Sequence, residues 1–181
     1  LIAPNYPAGK DAVTGFKRFY KGTINEEIYS KLGQLDYAAE IAQIRAAKPR
    51  AVYAFLPGGM GINFIKQYVA AGLNRQMVLV GPGFTADEDI IKAVGEPMVG
   101  MFNTSQWAAD LDNAQNKRFV ADFQKKTQRL PTVYASQGYD AAQSIDAGVR
   151  EVAGKIEDKE ALRKALRAAK FKSVRDRKSV V

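Results

Sequence analysis

The feature of this chain that most constrains its fold is the alternation of short β-prone runs with amphipathic helical segments. The β-prone runs lie near residues 1–3, 23–29, 50–55, 77–80 and 99–103, and a helical pattern follows each of them. Strands that alternate with helices usually pair in parallel, because the helix carries the chain back to the same edge of the sheet. The pattern therefore predicts an α/β fold built on a parallel sheet.

Helix boundaries can be predicted from capping residues and breakers. We expect the first helix to begin at Asp11, a second to follow Asp36 as its N-cap, and another to begin at Asn113 or Ala114. A further helix is expected to start with a capping box, in which Thr85 is the N-cap and Glu88 lies three residues on.

The pattern changes near residue 130, where Leu130, Pro131 and Thr132 form a break. Two helices follow without an intervening strand, and the second is predicted to begin at Asp158. Their apolar stripes need another surface to pack against, so we divide the chain into an α/β body, residues 1–128, and a helical segment, residues 129–181. The stripes consist of Gly138, Ala141, Ile145, Val149 and Val152 on one helix, and of Leu162, Ala165, Leu166 and Ala169 on the other.

Composition removes several classes of function. The 181 residues include no cysteine and no histidine, so disulfides, thiolate metal sites and the commonest general base are excluded. No apolar run approaches the roughly 20 residues needed to span a bilayer. Most of the net charge of +8 lies in residues 155–181, on a predicted helix and its short extension, which indicates a solvated face rather than a nucleic-acid site.

Four loops predict a ligand cleft. In a parallel α/β sheet, the loops that follow the carboxyl ends of the strands gather at one edge, where ligands bind. Here those loops read PNYPAGKD, LPGGMG, GPGFT and TSQWAAD, and each contains glycine, proline or an aromatic residue.

The glycine-rich loop LPGGMG does not fit a nucleotide site. Its best match to the dinucleotide pattern begins at Gly59 and Gly61 and lacks the third glycine, and no Gly-Lys-Ser/Thr follows it. Two interpretations remain open. The glycines serve a tight turn with positive φ, or the turn also presents backbone amides and Met60 to a ligand that is not a nucleotide.

Several side chains have both a structural and a ligand-binding interpretation. Tyr6 could stack on a ligand or be structural, Phe84 could face the cleft or pin the entry of a helix, and Trp107 could contact a ligand or pack. Thr85 is expected to cap rather than to bind, and the acids Asp87, Glu88 and Asp89 are expected to be structural in the first turn of a helix. No catalytic residue, metal ligand or cofactor is predicted. The candidate ligand-binding residues are Tyr6, Pro57, Gly58, Gly59, Met60, Gly83, Phe84 and Trp107.

Four blocks resemble a known family when they are taken together. The chain is similar to the second half of periplasmic solute-binding proteins of the leucine/isoleucine/valine-binding type, the receptors of ABC importers, over about residues 1–175. The likeness fades at Asp176, Arg177 and Lys178. The blocks are IAPNYPAGKDAVTGFKRFYKG, LDYAAEIAQIRAAKPRAVYAFLPGGMGINFIKQYVAAGL, LDNAQNKRFVADFQKK and LPTVYASQGYDAAQSIDAGV.

This resemblance implies a type I periplasmic binding fold, in which two Rossmann-like lobes close on a small solute. Residues 1–128 would be the second lobe, and residues 129–181 would be a crossover and helices of an incomplete first lobe. A periplasmic location, a membrane permease as partner and no enzymatic activity are implied as well. Without the first lobe, the stripes at Ala141, Ile145 and Val149 and at Leu162 and Leu166 are expected to be exposed or buried against another chain.

The resemblance also bears on the solute. Tyr6 matches a loop tyrosine that touches the solute in amino-acid-binding members, whereas Gly83 stands where those members carry a glutamate that pairs with the ammonium group. LPGGMG also lacks their tyrosine. Similar blocks occur in members that bind benzoates and cinnamates, so an aromatic or other organic acid is predicted. The alternatives are a branched-chain or other amino acid, or a cytoplasmic nucleotide-binding α/β domain.

Overall fold

The computed structural model describes residues 1–175, in which five strands alternate with helices before three helices follow in succession. The departure from the family pattern at Asp176, Arg177 and Lys178 lies outside the described residues. The elements are β1 (Ile2–Pro4), α1 (Pro7–Phe19), β2 (Ile28–Ser30), α2 (Ala38–Ala47), β3 (Ala51–Tyr53), α3 (Gly59–Ala70), β4 (Val78–Pro82), α4 (Glu88–Val94), β5 (Phe102–Thr104), α5 (Ala114–Thr127), α6 (Val133–Glu151) and α7 (Lys159–Ala168).

All strand pairs are parallel, as the alternation predicts. One ladder pairs β1 with β2, and another pairs β3 with β4 and β4 with β5. A single parallel bridge between Ile2 and Ala54 joins the two ladders, and the Phe55 N–H donates to the Ile2 carbonyl at 2.9 Å. The strands therefore lie in the order β2-β1-β3-β4-β5, which is a doubly wound arrangement.

The chain forms two compact units, one from Leu1 to Ser105 and the other from Gln106 onward. The first unit contains the five strands with α1 to α4, and the second contains α5 to α7. The assignment of residues 1–128 and 129–181 to two lobes of a receptor stays a prediction, because it concerns lobes rather than compact units of this chain.

The core of the first unit is a mainly aliphatic cluster from the sheet and the helices α2, α3 and α4, and it includes three aromatic residues. Tyr37 meets Phe64 edge-to-face with their ring centroids 5.4 Å apart, and Tyr68 lies 5.7 Å from Phe64. All three side chains are fully buried, and the Tyr68 hydroxyl donates to the Met77 carbonyl at 3.0 Å. Burial raises the pKa of Tyr68 to about 12, so the phenol stays neutral.

Three element boundaries differ from the sequence predictions. α1 begins at Pro7 rather than Asp11, because proline at the first helical position needs no N–H partner and already has a helical φ. β2 is confined to Ile28–Ser30, and residues 23–27 have no regular structure. The Asp36 carboxylate accepts a hydrogen bond from the Ala38 N–H at 3.0 Å, but Tyr37 is the N-cap of α2 and no side chain caps it, so the N-cap predicted at Asp36 is wrong.

The capping box predicted at Thr85 and Glu88 is wrong. A 3₁₀ turn formed by Gly83–Thr85 precedes the helix, so α4 starts only at Glu88. Asp87 is the N-cap, and its carboxylate accepts from the Ile90 N–H at 3.1 Å. The Thr85 hydroxyl is buried elsewhere.

The helices of the second unit begin where sequence predicts. Asn113 caps α5 by accepting from the Asn116 N–H, Thr132 caps α6 after the break, and Asp158 caps α7. Within residues 1–175, no helix is long and apolar enough to cross a bilayer.

The apolar stripe of α6 is only partly covered. Gly148 is buried against α7, where a Cβ would come within 2.5 Å of a Leu166 methyl carbon. Ala141 is exposed and the Ile145 side chain is 57% exposed, which confirms the expected exposure at these two positions only. Val149, Leu162 and Leu166 are half-buried, and self-association through these faces stays a prediction.

A buried carboxylate anchors the last described segment to α6. The Asp140 side chain accepts hydrogen bonds from the Ser173 hydroxyl, the Val174 N–H at 3.1 Å and the Arg175 Nε at 2.9 Å. Asp140 is only 2% exposed, so these three donors replace its water.

Asp87 provides a test of how burial and capping oppose each other. Burial raises the pKa of its carboxyl above the usual range, while the hydrogen bond from the Ile90 N–H opposes that shift. A raised folded-state pKa means that the stabilising contribution is present at acid pH and is lost as pH rises through the folded pKa. Asp87→Asn keeps a good cap without a charge. The free energy of unfolding of this variant, minus that of the unmodified chain, should therefore be larger at pH 7 than at pH 4.

Asp87→Ala is the matched variant that removes the cap. We expect it to lower the free energy of unfolding by about 0.5 to 2 kcal/mol. Urea denaturation at the two pH values measures both effects. An Asn variant that loses stability relative to the unmodified chain as pH rises would contradict the assignment.

Candidate functional site

The strand order places the switch point of the sheet between β1 and β3. From β1 the chain runs to β2 on one side, and from β3 it runs to β4 on the other side. The loops after these neighbouring strands therefore diverge, and ligands of doubly wound proteins bind at such a switch point. The loop after β1 contains Tyr6, and the glycine turn, Pro57–Gly61, comprises the end of the loop after β3 and the first residues of α3.

The glycine turn needs its glycines for two different reasons. Gly58 has φ 62° and ψ −136°, a conformation that side chains disfavour. A Cβ at Gly61 would overlap the Leu56 carbonyl oxygen, so the chain can fold back closely only without a side chain there. The structural interpretation of these glycines is thus confirmed, and their contact with a ligand stays a prediction.

The glycine turn also leads into a helix whose start lacks a side-chain cap. Gly58 is the N-cap of α3, no side chain caps it, and the first turn contains no acidic residue. The N-terminus of a helix carries a partial positive charge from its backbone N–H groups. This part of the edge is therefore suited to an anionic or hydrogen-bond-accepting group.

Met60 is tied to a loop that the sequence analysis did not include in the cleft. Its sulfur accepts a hydrogen bond from the Gly33 N–H at 3.3 Å, and the side chain is half-buried. Residues 31–37 follow β2 and expose Leu32 and Leu35, which are 61% and 67% accessible. The predicted strand already ends at residue 29, so the carboxyl-edge rule applied to it would have included this loop.

Thr85 does not cap a helix, because its hydroxyl joins the end of β3 to the turn that follows β4. The hydroxyl donates to the Ala54 carbonyl and accepts from the Leu56 N–H, both at 3.1 Å, and the residue is fully buried. It thereby fixes the backbone immediately before the glycine turn against the turn that follows β4.

Gly83 and Phe84 occupy that second turn. Gly83 is buried, and a Cβ there would lie 2.6 Å from the Ser105 Oγ and 2.9 Å from the Ser105 Cβ. Phe84 is half-buried, as is Tyr6. All the candidate wall residues before Ser105 are uncharged.

Trp107 belongs to the second unit and serves packing there. Its ring is 2% exposed, its Nε1 donates to the Asn116 Oδ1 at 2.7 Å, and it meets Phe119 edge-to-face at 6.1 Å. Asn116 in turn donates to the carbonyls of Ala108, Ala109 and Leu111. These contacts support the packing interpretation, and we omit Trp107 from the candidate wall.

An apolar cavity of about 290 Å³ lies at the opposite edge of the same sheet. Phe16 and Tyr53 line it with ring centroids 4.6 Å apart, and Leu1 and Ala51 mark it as the amino edge. Because parallel sheets bind ligands beyond the carboxyl ends of their strands, we do not assign the solute to this cavity.

Comparison with known proteins gives a consistent result. A family model described as periplasmic binding protein matches residues 1–180. A Leu/Ile/Val-binding protein homolog 6 from Brucella melitensis is 30% identical over 129 residues, which is 68% of this chain and 33% of that protein. The chain thus spans about a third of the length of the curated relatives that it matches.

Solved structures agree over nearly the whole chain. A solute-binding protein of an ABC transporter from R. palustris, in complex with benzoate, superimposes with a TM-score of 0.92 and 37% identity, covering 97% of this chain and 49% of that one. A relative from Rhodopseudomonas palustris BisB5, in complex with 3,4-dihydroxybenzoic acid, has a TM-score of 0.89, 31% identity and the same coverage. A branched-chain amino acid binding protein from Streptococcus pneumoniae, at 18% identity, TM-score 0.81 and coverage of 98% and 51%, shares the fold.

The bridging role of Thr85 can be tested with two substitutions. Thr85→Val keeps the shape but leaves the Leu56 N–H and the Ala54 carbonyl without their buried partner, so we expect the free energy of unfolding to fall by about 1 to 3 kcal/mol. Thr85→Ser keeps the hydroxyl and removes one methyl group, at a cost of about 0.8 kcal/mol.

Hydrogen exchange of the Leu56 amide provides the discriminating measurement. Exchange should accelerate in the Val variant and stay slow in the Ser variant. Equal protection in both variants would show that the hydroxyl does not hold this backbone.

Proposed function

This chain belongs to the periplasmic binding protein family, and from that premise we propose that it forms the solute-binding wall of an ABC importer receptor. In this proposal the solute is an aromatic or other small organic acid held between two lobes, of which this chain supplies the second. The observation that carries the proposal is the neutral, glycine-rich wall at the switch point between β1 and β3. The benzoate and 3,4-dihydroxybenzoate complexes of relatives with 37% and 31% identity support it.

The preference for an acid follows from the electrostatics of the wall. The uncapped start of α3 favours a negatively charged or accepting group. The ammonium group of an amino acid would need a carboxylate, and the candidate wall residues Tyr6, Pro57–Met60, Gly83 and Phe84 provide none. Asp87 lies near this edge, but it is buried and engaged as the cap of α4. A missing charge-assisted hydrogen bond costs about 1.5 to 3 kcal/mol.

A branched-chain amino acid is the second candidate solute. It is favoured by the Leu/Ile/Val-binding homologues, which are 30% identical to this chain over 129 residues. In either case the receptor would act outside the cytoplasm, would deliver its solute to a membrane permease and would catalyse no reaction. These roles extend the family assignment to a whole receptor and are part of the same proposal.

Calorimetry on a two-lobed receptor that contains this chain tests the proposal. We expect benzoate or 4-hydroxybenzoate to bind with saturable heat, and leucine, isoleucine and ATP to give none. The chain alone should bind the same acid more weakly, because it supplies only one wall. Leucine binding without binding of any aromatic acid would overturn the choice of solute, and saturable ATP binding would favour a nucleotide-binding domain.

A further inference from the structure

We propose that Ser105 is a specificity-determining residue of this wall, where its hydroxyl takes the place that a side chain at position 83 would occupy and hydrogen-bonds to the solute. The inference rests on the proposed function, because it assigns a contact within the same cleft. Ser105 lies in the loop TSQWAAD but is not among the predicted binding residues.

The register of the sheet brings the two positions together. Pro82 pairs with Thr104 in the parallel ladder of β4 and β5, so Gly83 and Ser105 are the next residues along both strands at the carboxyl edge. A Cβ on Gly83 would lie 2.6 Å from the Ser105 Oγ and 2.9 Å from its Cβ. Real Cβ atoms essentially never approach other atoms so closely, so the serine side chain lies directly against the glycine backbone.

The surroundings hold this pair in place. The Asn103 side chain donates to the Ala86 carbonyl at 3.1 Å and joins the end of β5 to the turn after β4. Thr85 joins the same turn to the end of β3. Gly83 is buried while Ser105 is exposed, so the serine is the member of the pair that a solute can reach.

This packing decides which chemistry position 83 can offer. A carboxylate-bearing side chain has no room at Gly83 while Ser105 stays in place, so the wall presents a neutral hydroxyl at this point. A hydroxyl both donates and accepts, and it therefore suits a carboxylate oxygen or a phenolic O–H. It gives an ammonium group no compensating negative charge, which disfavours zwitterions.

The first measurement is removal of the hydroxyl in the two-lobed receptor. Ser105→Ala should weaken binding of benzoate or 4-hydroxybenzoate about 3- to 30-fold, the range expected for the loss of one hydrogen bond. Urea denaturation of the variant and the unmodified receptor measures the free energy of unfolding, so that a loss of affinity can be separated from a loss of stability. Affinities of both acids within twofold of the unmodified receptor would overturn the inference.

The second measurement uses a matched pair that differs mainly in charge. Ser105→Asp and Ser105→Asn have similar size, so steric effects are shared between them. The Asp variant should bind benzoate at least about tenfold more weakly than the Asn variant, because two negative charges would approach in a site with little water. Equal affinities would show that the solute does not approach residue 105.

The outcomes separate this inference from the proposed function. An unmodified receptor that binds no aromatic acid would overturn the solute proposal and the inference that rests on it. A receptor that binds benzoate but is indifferent to all three Ser105 substitutions would overturn only the inference.

Discussion

The pairing of β1 with β3 is the contact on which the rest of the first unit depends. It consists of one bridge between Ile2 and Ala54, reinforced by the Phe55 N–H on the Ile2 carbonyl. These few bonds join the two ladders into one sheet. They also place β1 beside β3, and from these two strands the chain continues to opposite sides of the sheet. The switch point at the carboxyl edge follows from this strand order alone and does not depend on any particular side chain.

What distinguishes this wall is that close backbone packing, rather than charged side chains, determines its chemistry. Gly61 lets the turn approach the Leu56 carbonyl, and Gly83 lets Ser105 lie against the next strand end. The buried Thr85 hydroxyl supplies the remaining hydrogen bonds at the end of β3. In the proposed wall, these contacts position uncharged groups and the backbone amides at the start of α3.

Sequence patterns predicted the parts of this structure that depend on local rules. The alternation of strands and helices, the caps at Asn113 and Asp158 and the break before Val133 depend on residues close together in the chain, and all were confirmed. The early start of α1 at Pro7 could also have been found from the known preference of proline for a first helical turn.

The remaining features depend on contacts between distant residues, so local patterns could not reveal them. Thr85 followed by Glu88 fits a capping box, but the hydroxyl instead meets partners 29 and 31 residues away. Trp107 lies in a polar loop, where the sequence leaves both packing and ligand contact open. In the structure, Asn116 and Phe119 pack against its ring. The space beside Gly83 is likewise set by Ser105 on the neighbouring strand, which only the register reveals.

The hydrogen bond between the Gly33 N–H and the Met60 sulfur has a thermodynamic consequence. Met60 lies in the first turn of α3, while Gly33 lies in the loop that exposes Leu32 and Leu35. A solute that displaces Met60 would have to break this bond, and a conformation of the loop that breaks it would release Met60. Linkage makes such coupling reciprocal. A partner that binds the two leucines and shifts this loop would change the affinity for the solute by a certain factor, and the solute would change the affinity for that partner by the same factor.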